Sequence, residues 1–261
     1  MRWPYPFKVL VTTSGTGSRL RELTENKNKA LIKVNGKSIL SYIIDSYPKE
    51  VRFVVTLGFL GDQVKEYISN YHPQLRVEYV WVDKYVGPGT SCGYSMLKAE
   101  PNLQCPFIFH ACDTIVTQPI PRPDANWTGG NPMSHLDKSV ITQHFRTHWL
   151  ENDKLLRIND VGVSDYHRVH IGLTGVKDYG VFWDSLNHLY SKEPNNQALT
   201  DTHVINEMIK KDYSFTSTLF DPWLDTGNPD TLANSTAYLS NLKAKDQKYK
   251  GHQIDLQKIV A

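Results

Sequence analysis

Two hydrophobic periodicities take turns along this chain. Short apolar runs rich in β-branched and aromatic residues fall at 9–11, 52–58 (RFVVTLG), 77–82 (VEYVWV) and 106–109. Between them, apolar residues recur three and four apart: Ile39, Leu40, Ile43, Ile44 and Tyr47, then Val64, Tyr67, Ile68 and Tyr71. The first pattern predicts strands and the second predicts helices with one buried face. Their alternation predicts an α/β sheet. Turn chemistry agrees. Asn35-Gly36 marks a tight turn, Ser38 is placed to cap the helix over 39–47, and Pro48 ends it. Thr90 is placed to cap a helix running to Ala99.

The second half is less regular. Residues 119–137 are rich in Pro, Gly and Asn and read as loop. Strands are predicted over 138–145, 154–158, 170–177 and 213–220, and helices over 182–190, 202–211 and 229–242. Beyond that the chain is polar and Lys-rich, so the expected organisation is one domain over 1–242 and a loose tail over 243–261. No internal repeat is present.

Composition narrows the partners. The 261 residues include 29 basic and 27 acidic side chains, a net charge of +2. That balance gives no electrostatic reason to expect nucleic acid or a membrane surface as partner. No apolar run approaches the length of a membrane span, and the first residues carry no long apolar segment of a secretory signal. Three cysteines without CxxC spacing (Cys92, Cys105, Cys112) fit free thiols in a reducing compartment. The expectation is a cytoplasmic protein; oligomeric state is not legible.

The candidate chemistry starts where the first strand ends. Thr12, Thr13 and Ser14 lead into Gly15-Thr16-Gly17-Ser18-Arg19. Glycines let backbone amides approach an anion without a Cβ in the way, and successive amides form a nest for phosphate oxygens. Arg19 adds a charge-assisted contact. Lys29 follows in a polar stretch, and the apolar strand over 106–109 runs through His110-Ala111-Cys112 to a lone carboxylate, Asp113. Sheets of this class present functional acids at the carboxyl ends of their strands. His110 and Cys112 have no second Cys/His pair to complete a tetrahedral metal site and read as core. Trp81 and Trp183 also read as core, whereas Trp223 borders a further acid, Asp225.

Taken together, Gly15-Thr16-Gly17-Ser18-Arg19-Leu20, Asn28-Lys29-Ala30-Leu31, Gly36-Lys37-Ser38-Ile39-Leu40, Leu57-Gly58-Phe59-Leu60-Gly61-Asp62-Gln63-Val64, Gly89-Thr90 and Trp223-Leu224-Asp225-Thr226-Gly227 resemble the nucleotidylyltransferase family. The resemblance covers residues 8–242. It implies a single Rossmann-like, GT-A-type three-layer domain around a central mixed, mostly parallel sheet. It also implies transfer of a nucleotidyl group from an NTP to a phosphorylated acceptor, with release of pyrophosphate. In that pattern Thr13, Ser14, Gly15 and Gly17 bind nucleotide with Arg19 on the β- and γ-phosphates. Lys29 reaches the α-phosphate, Gly89 and Thr90 meet the base, and Asp113 and Asp225 hold Mg²⁺.

The chain departs from the family in two places. Asn28 replaces the usual proline before Lys29. The V-E-K-P motif that holds a sugar phosphate is absent; the comparable stretch is Leu156-Arg157-Ile158-Asn159-Asp160-Val161. Arg157, Arg168 and Lys177 are alternative candidates for the acceptor phosphate. The missing motif shifts weight toward relatives that use CTP with small phospho-alcohols, phosphonates or unusual sugars. A GT-A glycosyltransferase and an inactive nucleotide-binding regulatory module are the competing readings; Ala111-Cys112-Asp113 lacks the D-x-D of the first.

Overall fold

The computed structural model describes residues 7–133, 141 and 143–242. Its central strand, β1 (Lys8–Thr12), sends Val9 and Val11 into one apolar cluster and Leu10 into another. A strand buried on both faces needs helices on both faces. On the Val9 side lie α1 (Ile39–Asp45) and α2 (Gly61–Tyr71), with Ile39, Leu40, Ile43, Val64 and Ile68 in the core. On the Leu10 side lie α3 (Cys92–Ala99), α4 (Tyr179–Lys192) and α5 (Asp201–Lys210), packed through Met96, Phe182, Trp183, Val204 and Met208. Residues 229–242 form α6.

Among the described residues thirteen strands connect these helices: β2 (Lys33–Val34), β3 (Lys37–Ser38), β4 (Arg52–Leu57), β5 (Arg76–Trp81), β6 (Phe107–Ala111), β7 (Thr114–Val116), β8 (Trp127–Asn131), β9 (Thr147–Glu151), β10 (Lys154–Asn159), β11 (Arg168–Val176), β12 (Phe215–Leu219) and β13 (Trp223–Asp225) follow β1. The main sheet runs β5-β4-β1-β6-β11-β8-β12-β10-β9, and β11 also pairs with β9. Its first half is parallel throughout.

The α/β class with a central mixed sheet therefore holds, but "mostly parallel" describes only half of it. Among the described residues beyond β6, β8–β12 is the single parallel pair of this sheet, and the others are antiparallel. Because β9 returns to β11, strands β11, β8, β12, β10 and β9 close into a small ring. The long β11 makes this possible: its Thr174 end pairs with β6 and β8, and its Arg168 end reaches β9 across an irregularity between His170 and Thr174.

Most elements fall where the periodicity puts them, and the differences have local causes. The Asn35-Gly36 turn has positive φ at both positions (49° and 83°), the geometry that suits a two-residue hairpin. Ser38 caps α1 by accepting from the Ser41 amide at 3.0 Å. The cap of α3 is Ser91, one residue after Thr90. The stretch over 119–137 is not all loop. It contains β8, whose Gly129 and Gly130 leave no room for a Cβ against Ile171 and Arg168, so the glycines mark close strand packing. Of the strand expected over 138–145, residues 138–140 and 142 lie outside the described residues, and 141, 143 and 144 are helical. The tail expected over 243–261 also lies outside them. Trp81 is not core: it is 52% exposed, with its ring edge against Gly61. Among the described residues no helix is long and apolar enough to cross a membrane, and all three cysteines are free thiols.

Candidate active site

The turn after β1 opens a cleft of about 480 Å³ lined by Ser14, Gly15, Thr16, Gly17, Ser18, Arg19 and Lys29 on one side. Tyr85, Thr90, Ser95 and Gln197 line it elsewhere. The two glycines do different work. A Cβ on Gly15 would meet nothing within 4 Å, so it would project into open space beside the cleft. Gly17 has φ +67°, and a Cβ there would press on Lys29 Cβ at 3.0 Å and Thr24 Cγ2 at 3.1 Å. Gly15 thus leaves room for a ligand, and Gly17 leaves room for Lys29. Beneath the loop a third glycine, Gly58, lets the end of β4 touch it: a Cβ at Gly58 would sit 2.6 Å from the Ser14 carbonyl, which accepts from the Phe59 amide at 2.9 Å.

Asn28, in the place of the family proline, holds the loop to the lysine. It is fully buried; its Nδ2 donates to the Thr13 carbonyl (2.9 Å) and the Phe59 carbonyl (2.7 Å), and its Oδ1 accepts from the Ala30 amide (3.0 Å). One side chain thereby ties β1, the end of β4 and the turn carrying Lys29. Its N-cap chemistry at Lys29 was the available signal in the sequence.

Lys29 and the two acids meet at the edge of this cleft. Lys29 Nζ donates to Asp113 Oδ2 at 2.6 Å, and Arg19 Nη2 reaches the same oxygen at 3.4 Å. Asp225 arrives by strand pairing: β13 lies antiparallel to β7, with Asp225 opposite Thr114. The Thr226 amide and hydroxyl both donate to the Asp113 carbonyl at 2.9 Å and lock the two turns together. The electrostatics separate the acids. Burial alone pushes Asp113 up, but Lys29 and Arg19 outweigh it and hold the carboxyl below its ordinary range. Burial also works against the charge on Lys29, and Asp113 more than compensates, so its pKa is raised. Asp225 makes no ion pair among the described residues, and only the Thr231 hydroxyl, the more distant Lys29 and a backbone amide favour its charge. Burial, then the Asp113 charge, push it from 3.8 to about 6, against the amide of Gly227 that donates to Oδ1 at 3.0 Å. Two neighbouring carboxylates with one compensating lysine form a site whose charge a cation would relieve. Among the described residues no group of three or more His, Cys, Asp or Glu side chains is arranged to hold a metal. Two carboxylates with room for water and phosphate oxygens suit Mg²⁺, which keeps several waters.

The remaining candidates divide. Ser14 lines the cleft, with its Oγ 2.8 Å from Ser95 Oγ. Thr13 does not: its hydroxyl donates to the Thr56 carbonyl at 2.6 Å, and the residue is buried. Thr90 lines the cleft, and its hydroxyl closes a turn onto the Gly87 carbonyl at 2.7 Å. Gly89, with φ +82°, sits in that turn rather than in the cleft wall. Arg157, Arg168 and Lys177 line neither this cleft nor the cavity beside it. Arg157 lies over the Trp149 ring, and Arg168 binds Asp153 and the Ser217 carbonyl within the ring of strands.

The neighbouring cavity of about 290 Å³ holds what sequence reasoning missed. Asp113, Asp225, His170, Arg146 and the N-terminal residues of α5 line it. Arg19, Thr12, Cys92 and Cys112 line both spaces, so the two meet there. Cys112 is therefore a wall residue, not core, and burial pushes its thiol up to about 11. His110 is core, held between the Tyr47 hydroxyl and the Thr114 carbonyl at 2.9 Å each.

No protein-family profile matches the chain. Among curated proteins it is similar to the bifunctional protein GlmU of Methanococcus vannielii, 23% identical over 245 residues that are 91% of this chain and 56% of that protein. A choline-phosphate cytidylyltransferase of Streptococcus pneumoniae is 31% identical over 96 residues, 36% of this chain and 40% of the relative. Among solved structures, the CTP:phosphocholine cytidylyltransferase from S. pneumoniae superposes with a TM-score of 0.70 at 19% identity, covering 89% of this chain and 99% of the other. The inositol-1-phosphate CTP transferase from T. maritima superposes with 0.69 at 16%, covering 91% and 97%. Its relatives and structural neighbours are nucleotidylyltransferases. The chain spans a little over half the length of the GlmU relatives it matches. The structural likeness lies in the fold, and the α/β class stands on it.

Proposed function

We propose that this chain is a Mg²⁺-dependent nucleotidylyltransferase that moves a nucleotidyl group, from CTP or another NTP, to a phosphorylated small-molecule acceptor. The sugar-phosphate and phosphocholine substrates in the relatives' names are the acceptor classes this reading starts from. The parallel half would serve as the nucleotide-binding part of a GT-A-type, Rossmann-like domain over 1–242, working in the cytoplasm. One observation carries the reading. Asp113 and Asp225, 112 residues apart in the sequence, line one cavity together where it adjoins the larger cleft, with Lys29 and Arg19 on the Asp113 carboxylate.

In the reaction an acceptor phosphate oxygen forms a bond to the α-phosphorus of the NTP, and the bond to the β-phosphate oxygen breaks. No proton transfer to carbon and no redox step is needed, so catalysis is positioning and charge neutralisation. The Gly15–Ser18 backbone would receive the outgoing β- and γ-phosphates, with Arg19 beside them. Lys29, held by Asp113, would set its ammonium against the α-phosphate. Asp113 and Asp225 would hold Mg²⁺, which supplies charge neutralisation at the phosphates. A panel of four NTPs against sugar 1-phosphates, phosphocholine-type alcohols and phosphonates, read by pyrophosphate release, tests the reading. Release with one pair, lost in D113A and D225A proteins that remain folded, supports it. Turnover retained in either variant removes that residue from the site, and no release from any pair sinks the reading.

A further inference from the structure

Among the described residues, three buried polar atoms on the walls of the smaller cavity have no hydrogen-bond partner: Thr202 Oγ1, Trp223 Nε1 and His170 Nε2. One wall is the start of α5: Thr200, Asp201 and Thr202. Asp201 is 2% exposed and internally committed. Its Oδ1 accepts from the Thr200 hydroxyl at 2.8 Å, its Oδ2 accepts from the Thr174 hydroxyl at 3.0 Å, and Oδ2 also lies 3.2 Å from His170 Nε2. Thr202, next in the chain and equally buried, differs: its Oγ1 has no hydrogen-bond partner among the described residues. Trp223 stands between this cavity and a second pocket at β13 and α6, and its buried Nε1 also lacks a partner among them. Buried polar atoms are almost always paired, so three orphans around one cavity call for a ligand that pairs them.

We propose that this cavity receives the organic part of the acceptor, and that this part is a hydroxylated group, a sugar or polyol phosphate, hydrogen-bonded by Thr202 Oγ1 and Trp223 Nε1. The inference rests on the transferase reading for the ligand's role, and on the cavity alone for its chemistry. A hydroxyl accepts from the indole N–H and both gives and takes a hydrogen bond with a threonine. A quaternary ammonium group does neither and leaves both atoms unpaired. The Trp223 and Phe145 rings meet edge to face at 5.6 Å, a surface on which a cation could rest, but a cation there gives the Thr202 hydroxyl and the Trp223 N–H no acceptor. The acceptor phosphate then points to the junction at Arg19, beside Asp113 and Asp225.

Calorimetric binding to the full-length protein separates this from the reaction. The ligands are a hexose 1-phosphate, an inositol phosphate and phosphocholine, each with Mg²⁺ present, and the proteins are wild type, T202V, T202S and W223F. A hydroxylated phosphate that binds wild type more tightly than phosphocholine, loses about ten-fold in T202V or W223F and recovers in T202S supports the proposal; ten-fold is the size of one hydrogen bond to a buried group. Because its hydroxyl is unpaired without ligand, T202V should also melt no lower than wild type, which a structural role for the hydroxyl would not allow. Tighter binding of phosphocholine, no binding of either hydroxylated phosphate, or equal binding by wild type and T202V overturns it. Pyrophosphate release is read in the same samples with NTP added. Its absence despite intact, Thr202-dependent acceptor binding counts against the transferase reading only and leaves the pocket assignment standing.

Discussion

Replacing Asp225 with asparagine should stabilise the metal-free protein at neutral pH and destroy its response to Mg²⁺. The Asp225 carboxyl is raised from 3.8 to about 6, by burial first and by the Asp113 charge second. About two pKa units at about 1.4 kcal/mol each amount to about 3 kcal/mol. Asp225 is half-buried, so solvent screening makes this an upper figure. The sign follows from proton linkage. The folded state binds this proton more tightly than the unfolded state, so the contribution is fully present below pH 4 and is lost as pH rises through about 6. Asparagine keeps Oδ1 for the Gly227 amide and has no such pH dependence. In urea unfolding without metal, the stability difference between D225N and wild type should therefore move in favour of the variant by up to about 3 kcal/mol between pH 4 and pH 7. For a chain of this size that is about 6–12 °C in melting temperature. Adding millimolar Mg²⁺ at pH 7.5 should raise the wild-type melting point and leave D225N unmoved, because only a ligand bound to the folded state stabilises it. Parallel stability curves for the two proteins across this pH range would refute the argument, since they would mean that Asp225 carries no unfavourable charge.

The two loop glycines should separate function from folding. G15A keeps the wild-type melting point but weakens NTP binding at least ten-fold, because its Cβ meets only the cleft; unchanged NTP affinity by calorimetry contradicts this. G17A should cost about 1–3 kcal/mol from positive φ and the crowding of Lys29, and a wild-type melting point in differential scanning calorimetry would show that the turn tolerates a side chain. K29M leaves Asp113 without its 2.6 Å partner and should cost about 3 kcal/mol as well as abolishing turnover; urea titration and pyrophosphate release measure the two effects. N28A removes three hydrogen bonds that join β1, β4 and the Lys29 turn and should cost about 2–4 kcal/mol, whereas N28P, the family residue, should lose most of the same stability because proline restores none of them.

Much of the candidate cleft was legible because it is local. The Gly-rich turn, Lys29 and the two acids each sit at the end of a segment whose periodicity is plain, and the family pattern supplies their spacing. The ring of strands was not legible. Its closure depends on Gly129 and Gly130, which read as loop residues because their packing value appears only once Ile171 and Arg168 lie across them. The smaller cavity was hidden for a related reason. Thr202 and His170 are unremarkable in sequence, and only the contact of α5 with β11 brings them beside Asp113. The placement of Thr13 was not legible either: the pleat of the chain turns its hydroxyl inward to the Thr56 carbonyl. Asn28 looked like a defect against the family pattern and is a buried clamp.

The central claim is that the α-phosphorus of an NTP is transferred to a phosphorylated acceptor at Asp113, Asp225 and Lys29. The direct measurement follows NTP labelled at the α-phosphate and, in a parallel reaction, at the γ-phosphate, with Mg²⁺ and an acceptor that binds. The α-label should appear in the acceptor product and the γ-label in pyrophosphate, and both conversions should stop in D113A. The γ-label in orthophosphate or in the acceptor, or full conversion by D113A, would contradict the account.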